Sequence, residues 1–150
     1  MKTTVNHIGK PERASQDRVI QLFQSELGYT YLGDWEEEVR TQPIEEGILR
    51  NYLLEKGYSL IQAQKAIDKV VKAANNLSSG LYEANKEVYH LLRYGVTVRE
   101  ELGQPKETVW LIDWKDVESN QFAVAEEVTV QGKNTKRPDV VIYVNGIALG

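Results

Sequence analysis

At 150 residues, with 41% hydrophobic and 27% charged content, the chain is long enough for one domain with a real core and too apolar for wholesale disorder. The absence of cysteine excludes disulfides, thiol catalysis and cysteine-ligated zinc, and His7 and His90 are too far apart in sequence to suggest a histidine zinc site. A net charge of −4 excludes a surface that grips nucleic acid all over, because phosphate neutralisation needs clustered Lys and Arg; a local basic patch is still compatible with it.

Residues 1–11 are polar and irregular and are expected to form a flexible arm. They lack the apolar region of a signal peptide. No stretch of the chain approaches the ~20 apolar residues of a membrane helix, so the cytoplasm is the expected compartment. From Glu12 to Leu27 the pattern is helical, with Val19, Leu22, Phe23 and Leu27 as the apolar stripe and Gly28 as the stop. Tyr29 to Trp35 reads as a short aromatic link or strand, followed by the acidic run Glu36-Glu37-Glu38. A second helix follows Pro43, carries Ile44, Ile48, Tyr52 and Leu53, and ends at Gly57. Ser59 caps a third, whose stripe of Leu60, Ala63, Ile67, Val70, Val71 and Ala74 is the cleanest helical period in the chain. A fourth runs from Leu81 to Tyr94 and is expected to bury Leu81, Val88, Tyr89 and Leu92, with His90 structural beside them.

The period then changes to two. Val96 and Val98 make a short strand, Gly103-Gln104-Pro105 a turn, and Val109–Trp114 and Phe122–Val130 read as longer strands. Residues 132–137 form a basic loop, and Val140–Val144 is an apolar strand closed by Asn145-Gly146, the strongest short-range hairpin signal available. Helices over about 12–95 followed by strands over about 96–150 predict an α+β fold with a mixed, mostly hairpin-linked sheet.

The residue most suited to chemistry is Asp139, in Arg137-Pro138-Asp139 at the mouth of the apolar strand. A carboxylate there suits a hard divalent cation, but Mg²⁺ typically takes one or two carboxylates together with substrate oxygens and water, so a second acid and a lysine are needed nearby. A hairpin supplies them economically. With a two-residue loop Asp139 faces the second position after Gly150, and with a three-residue loop the third. The plainer reading is that Asp139 caps a strand after a proline.

Other residues carry weaker signals. Glu26 or Glu12 on the first helix would serve as a supporting acid, although a solvated helix face explains both. Lys133, Lys136 and Arg137 would contact DNA phosphates, or form a solvated loop. The Gly132-Lys133 pair lacks the spacing and the Lys-Ser/Thr adjacency of a P-loop. Glu126 and Glu127 are expected to be an exposed edge pair. Trp110, Trp114 and Phe122 have rings that stack on bases, but the shared strand face of Trp110, Ile112 and Trp114 favours core packing.

Several segments carry a resemblance in chain order: residues 11–20, 26–35 and 85–89, Leu91-Leu92-Arg93-Tyr94-Gly95-Val96, Leu111-Ile112-Asp113-Trp114, and Arg137-Pro138-Asp139 through Asn145-Gly146-Ile147. Together they resemble the N-terminus of the R subunit of type I restriction enzymes, a PD-(D/E)xK nuclease domain followed in that family by an ATP-driven DNA translocase. The resemblance implies that residues 12–150 are an incomplete nuclease domain, and that Asp139 is its first catalytic and Mg²⁺-binding acid, with Glu26 a possible addition. It implies Glu-x-Lys within about five residues after Gly150, as the hairpin geometry also suggests. ATP would bind only in the motor. The implied partners are DNA, the motor domains in cis, and the methyltransferase and specificity subunits, with no membrane. The 150 residues alone, lacking Glu-x-Lys, are expected to be inactive. A competing role is a non-catalytic docking module for motor or methyltransferase subunits.

Overall fold

The structure, a computed structural model, describes residues 10–131, 134–135 and 137–150; the N-terminal arm lies outside them except at its last two positions, where the first helix begins. Helix α1 (Lys10–Ser25) leads to β1 (Thr30–Asp34) and β2 (Val39–Arg40). Three helices follow, α2 (Glu46–Glu55), α3 (Leu60–Asn75) and α4 (Leu81–Tyr94). The hairpin β3 (Val96–Val98) and β4 (Glu107–Val109) comes next, then β5 (Phe122–Glu126), β6 (Thr129–Val130), β7 (Val140–Val144) and β8 (Ile147–Ala148). The fold is α+β, as the order of patterns predicts.

Helix starts follow local chemistry. The Ser59 hydroxyl accepts from the Gln62 amide while the Gln62 side chain accepts from the Ser59 amide, a reciprocal capping box that satisfies two otherwise orphaned donors. Helix α3 then buries Ala63, Ala66, Ile67 and Val70 in the main core, with Leu49 and Leu53 of α2, Val96 and Val109 of the β3–β4 hairpin, Leu111, Val144 and Ile147. Helix α4 departs from expectation. Leu92 is buried and Val88 partly so, but Leu81 and Tyr89 are exposed because the buried face of the helix runs through Ala84, Val88, Leu91 and Leu92.

The main sheet has the order β1-β5-β7-β8. Strand β1 runs parallel to β5, so these two are joined by the helical segment rather than by a hairpin. The β5–β7 and β7–β8 pairs are antiparallel. A second, smaller cluster of Ala123, Ala125, Val128, Val141 and Tyr143 is closed by Leu32 and Trp35. The other face of β5 meets α1 through a chain of rings, Phe23 to Tyr29 at 5.0 Å and Tyr29 to Phe122 at 5.3 Å.

Two strand expectations are corrected. The run Val109–Trp114 is extended only as far as Val109; beyond it the main chain is drawn into side-chain hydrogen bonds from Asn120 and Asn145 instead of a ladder. The run Phe122–Val130 breaks at Glu127, whose φ of 54° is incompatible with a strand, and resumes as β6, which pairs in parallel with β2.

The Asn145-Gly146 turn is confirmed, with positive φ at both residues, and it is buried. Asn145 Nδ2 donates to Leu111 O and to Asn120 Oδ1, each at 2.9 Å, and its Oδ1 accepts from the Gln121 amide at 2.7 Å. Gly146 O accepts from the Glu45 amide at 2.7 Å, and Ala148 N donates to Pro43 O, so the outer edge of β8 is covered. A Cβ at Gly146 would stand 2.7 Å from Glu45 O, with φ at +83°. Gly146→Ala is therefore expected to lower stability by about 2–4 kcal/mol, combining left-handed strain with overpacking. Urea denaturation measures this; a loss under about 0.5 kcal/mol would mean that the turn is not fixed as described.

Candidate active site

Asp139 occupies an exposed bend immediately before β7. Its position is set through the main chain. The Glu127 amide donates to Asp139 O at 2.9 Å, and Gln16 Nε2 approaches the same oxygen at 3.3 Å. Among the described residues the Asp139 carboxylate has no hydrogen bond or ion pair and is free to accept a ligand.

Glu126 and Glu127 lie beside this bend and are not an exposed pair. Glu126 is only 4% exposed, its Oε2 accepting from the Tyr31 hydroxyl at 2.6 Å and its Oε1 lying 3.4 Å from Gln16 Nε2. Glu127 is part-buried and accepts from Gln16 Nε2 at 3.1 Å and from Arg137 Nε at 2.8 Å. Their shared feature is the local backbone: the left-handed conformation at Glu127 ends the alternation of β5 and turns its side chain toward α1 as well. Gln16 thus bridges both glutamates and the carbonyl of Asp139. Arg13, one turn earlier, reaches Asp34, Glu126 and Glu127 at 3.8–4.0 Å and pairs with Asp17 at 3.2 Å.

Of the candidates from sequence, Arg137 is next to Asp139 but committed elsewhere, with Nη2 2.8 Å from Glu36 and Nε on Glu127. The Glu36 hydrogen bond, opposed by desolvation, raises its already high pKa. Lys133 and Lys136 lie outside the described residues. Glu26 follows the last residue of α1, ten positions beyond Gln16, or about 15 Å at the helical rise. The helical side chain brought to Asp139 is Gln16, with Arg13 reaching the neighbouring Glu126 and Glu127.

Gln16 and Tyr31 escaped the sequence reading. Of the expected α1 stripe, Val19, Leu22 and Leu27 are exposed and Phe23 is partly buried against Tyr29, whereas Gln16 and Ile20 are buried. The available signal was a polar residue four positions before an isoleucine, which marks one helix face.

At the other end of the same elements, β8 departs from β7. Val144 opposes Ile147 and Tyr143 opposes Ala148, as a two-residue loop requires. Ile142 then accepts from Leu149 N at 2.9 Å but donates to Gly150 O, so two residues face one and the register shifts by one.

The family described as "Type I restriction enzyme R protein N terminus" matches residues 10–150. The chain belongs to this family. A relative in Methanocaldococcus jannaschii, whose name assigns it provisionally as the type I restriction enzyme MjaIXP endonuclease subunit, is 27% identical over 146 residues. That match covers 89% of this chain and 14% of the relative, so the chain spans about a seventh of the relative's length. No solved structure shows significant similarity. Among the described residues no helix is long and apolar enough to cross a membrane.

The Tyr31–Glu126 contact has a titration signature. Burial first, and then the hydrogen bond to Glu126, push the Tyr31 hydroxyl from 10.0 up to about 12. A raised folded pKa means that the associated stability is complete below pH 10 and is lost as pH rises toward 12. Glu126→Gln should lower the Tyr31 midpoint without returning it to 10.0, since burial is the larger cause. Ultraviolet difference titration of wild type, Glu126→Gln and Tyr31→Phe isolates this group. An unchanged midpoint in Glu126→Gln would show that the contact is absent in solution.

Proposed function

We propose that this chain is the N-terminal part of the nuclease domain of a type I restriction enzyme R subunit, which as a whole hydrolyses DNA phosphodiesters in a Mg²⁺-dependent reaction. The observation that carries the reading is Asp139, whose carboxylate is unpaired among the described residues and whose main chain is pinned by Glu127 and Gln16 at the mouth of a buried strand.

The donor chemistry fits a hard cation in part. Asp139 offers one free oxygen ligand, while Glu126 and Glu127 are already engaged, and the described residues hold no cluster of three or more suitable ligands. The remaining donors belong on the strand opened by β8. If the register shift at Ile142 is carried forward, the third position after Gly150 falls opposite Asp139, which is where the acid of Glu-x-Lys is expected. When bound, Mg²⁺ would polarise the phosphate and acidify a water. Asp139 would hold the cation, and Lys133 and Lys136 would meet phosphate oxygens of the DNA. Arg137 would anchor their loop through Glu36 and Glu127 rather than contact DNA itself. In the whole protein, ATP-driven translocation by motor domains and recruitment by methyltransferase and specificity subunits would deliver the DNA.

One observation favours docking as an additional role. The outer surface of α4 exposes Leu81, Tyr82, Tyr89 and Tyr94, a concentration of large side chains each more than half exposed. A motor or methyltransferase subunit would cover it.

Asp139→Ala in the full-length protein should reduce Mg²⁺-dependent DNA cleavage at least a hundredfold, without changing partner capture or thermal midpoint. Cleavage retained at the wild-type level would sink the nuclease assignment of Asp139. Tyr82→Ala with Tyr89→Ala should have the opposite profile, weakening capture before cleavage.

A further inference from the structure

The two tryptophans expected in the core instead rim a cavity. Trp110 is 44% exposed and Trp114 46%, and together with Tyr58, Lys56, Arg93 and Lys115 they line a space of about 470 Å³. That volume is within the range of small-ligand sites. Neither ring is merely unpacked. Trp114 Nε1 donates to Leu92 O at 2.8 Å, which fixes the indole while leaving much of it open. The Trp110 amide donates to the Tyr58 hydroxyl at 3.0 Å, which holds the adjoining segment.

The charges around the rings are unequal. Lys56 is neutralised by Asp113 at 3.1 Å, and the Asp113 carboxyl is held well below the usual carboxylate range by the Asp116 amide first and Lys56 second. Arg93 lies 5.3 Å from the centre of the Trp114 ring; the Lys115 main-chain amide donates to Asp113 Oδ1 at 3.0 Å, but among the described residues neither the Arg93 guanidinium nor the Lys115 ammonium pairs with a carboxylate. On a chain of net charge −4, open aromatic faces beside two uncompensated cations are a local inversion. An acidic peptide would use the cations but not the flat rings, and an apolar segment would use the rings but leave the cations buried and unpaired. A nucleotide unit uses both.

We propose that this cavity binds a nucleotide, with its base stacked on the Trp110 or Trp114 indole and its phosphate near Arg93 and Lys115. The site is separate from Asp139. Leu111 O, between the two tryptophans in sequence, is held by Asn145, six residues further along β7, or roughly 20 Å at strand rise. The proposal therefore does not depend on the nuclease reading.

The test is fluorescence anisotropy of the full chain with a labelled single-stranded oligothymidylate in EDTA, and with unlabelled thymidine 5′-monophosphate as competitor. Trp110→Ala should weaken oligonucleotide binding about tenfold. Lys115→Gln, at an exposed position that does not threaten folding, should flatten the dependence of log affinity on log salt by about 0.7. Asp139→Ala should change neither, whatever it does to cleavage. Displacement by the mononucleotide would identify a free nucleotide as the ligand, and displacement only by strands would identify DNA; both support the site. Unchanged affinity in Trp110→Ala with an unchanged salt slope in Lys115→Gln would overturn it.

Discussion

The buried amide of Asn145 is the interaction on which the arrangement depends. Tight turns ordinarily project into solvent, but this one is interior, fully enclosed, and held at a positive φ of 52°. Its side chain satisfies Leu111 O, Asn120 Oδ1 and the Gln121 amide, and its own amide donates to Gln121 O. Asn120 in turn accepts from the Tyr52 hydroxyl and the Asp113 amide, and donates to Asp113 O and Val117 O. Such a network is stabilising only if every member is satisfied, and among the described residues no buried side-chain polar atom lacks a partner. Because side chains alternate along a strand, a slip of one residue at this turn would send Val141 and Tyr143 to the opposite face. The lock at Asn145 therefore fixes which side chains of β7 enter each core cluster, and so where Asp139 emerges.

The opposite end of β7 solves a different problem. Glu126 is a buried carboxylate, and a buried charge is costly unless hydrogen bonds and opposite charge compensate it. The compensation comes from three side chains on two elements that are distant in sequence: Tyr31 from β1, Gln16 and Arg13 from α1. The neutral donors are closer than the guanidinium, at 2.6 and 3.4 Å against 3.8 Å, so hydrogen bonding rather than a direct ion pair holds the group. One consequence is structural economy. The amide that reaches Glu126 also reaches Glu127 and Asp139 O, so the packing of α1 on the sheet and the placement of Asp139 are a single event.

Much of this was legible in sequence where a local rule operates alone. The Ser59 cap, the stripe of α3 apart from its exposed first residue Leu60, the strand Val140–Val144 and the Asn-Gly turn each follow from a few neighbouring residues and are as expected. Misreadings occur where a distant partner overrides the local pattern. Val109–Trp114 has strand composition, but Asn145 and Asn120 claim its carbonyls, leaving both tryptophans at a surface. The apolar positions of α1 suggest a face through Leu22 and Leu27, yet the sheet presents carboxylates to that helix, and a glutamine is buried there beside Ile20. The parallel pairing of β1 with β5 carries no local signature at all, because nothing in either strand specifies a partner more than eighty residues away.

The two chemical regions of the molecule stand in a mechanical relation. Asp139 precedes β7 and Asn145 follows it, and Asn145 holds the carbonyl between Trp110 and Ile112. A five-residue strand paired on both sides, with β5 along its full length and β8 at its end, has little freedom to bend. The separation between the carboxylate at one end and the aromatic cavity at the other is therefore set by strand length rather than by loop conformation. The bulge at Leu149–Gly150 is the place where this rigidity is relieved, since it lets β8 change register without disturbing the Asn145 turn. A strand that continued from β8 could thus bring new side chains to Asp139 while the tryptophan cavity stayed as it is. Rigidity at the turn and adjustability at the bulge let one short strand hold the Asn145 network at one end and the Asp139 bend at the other.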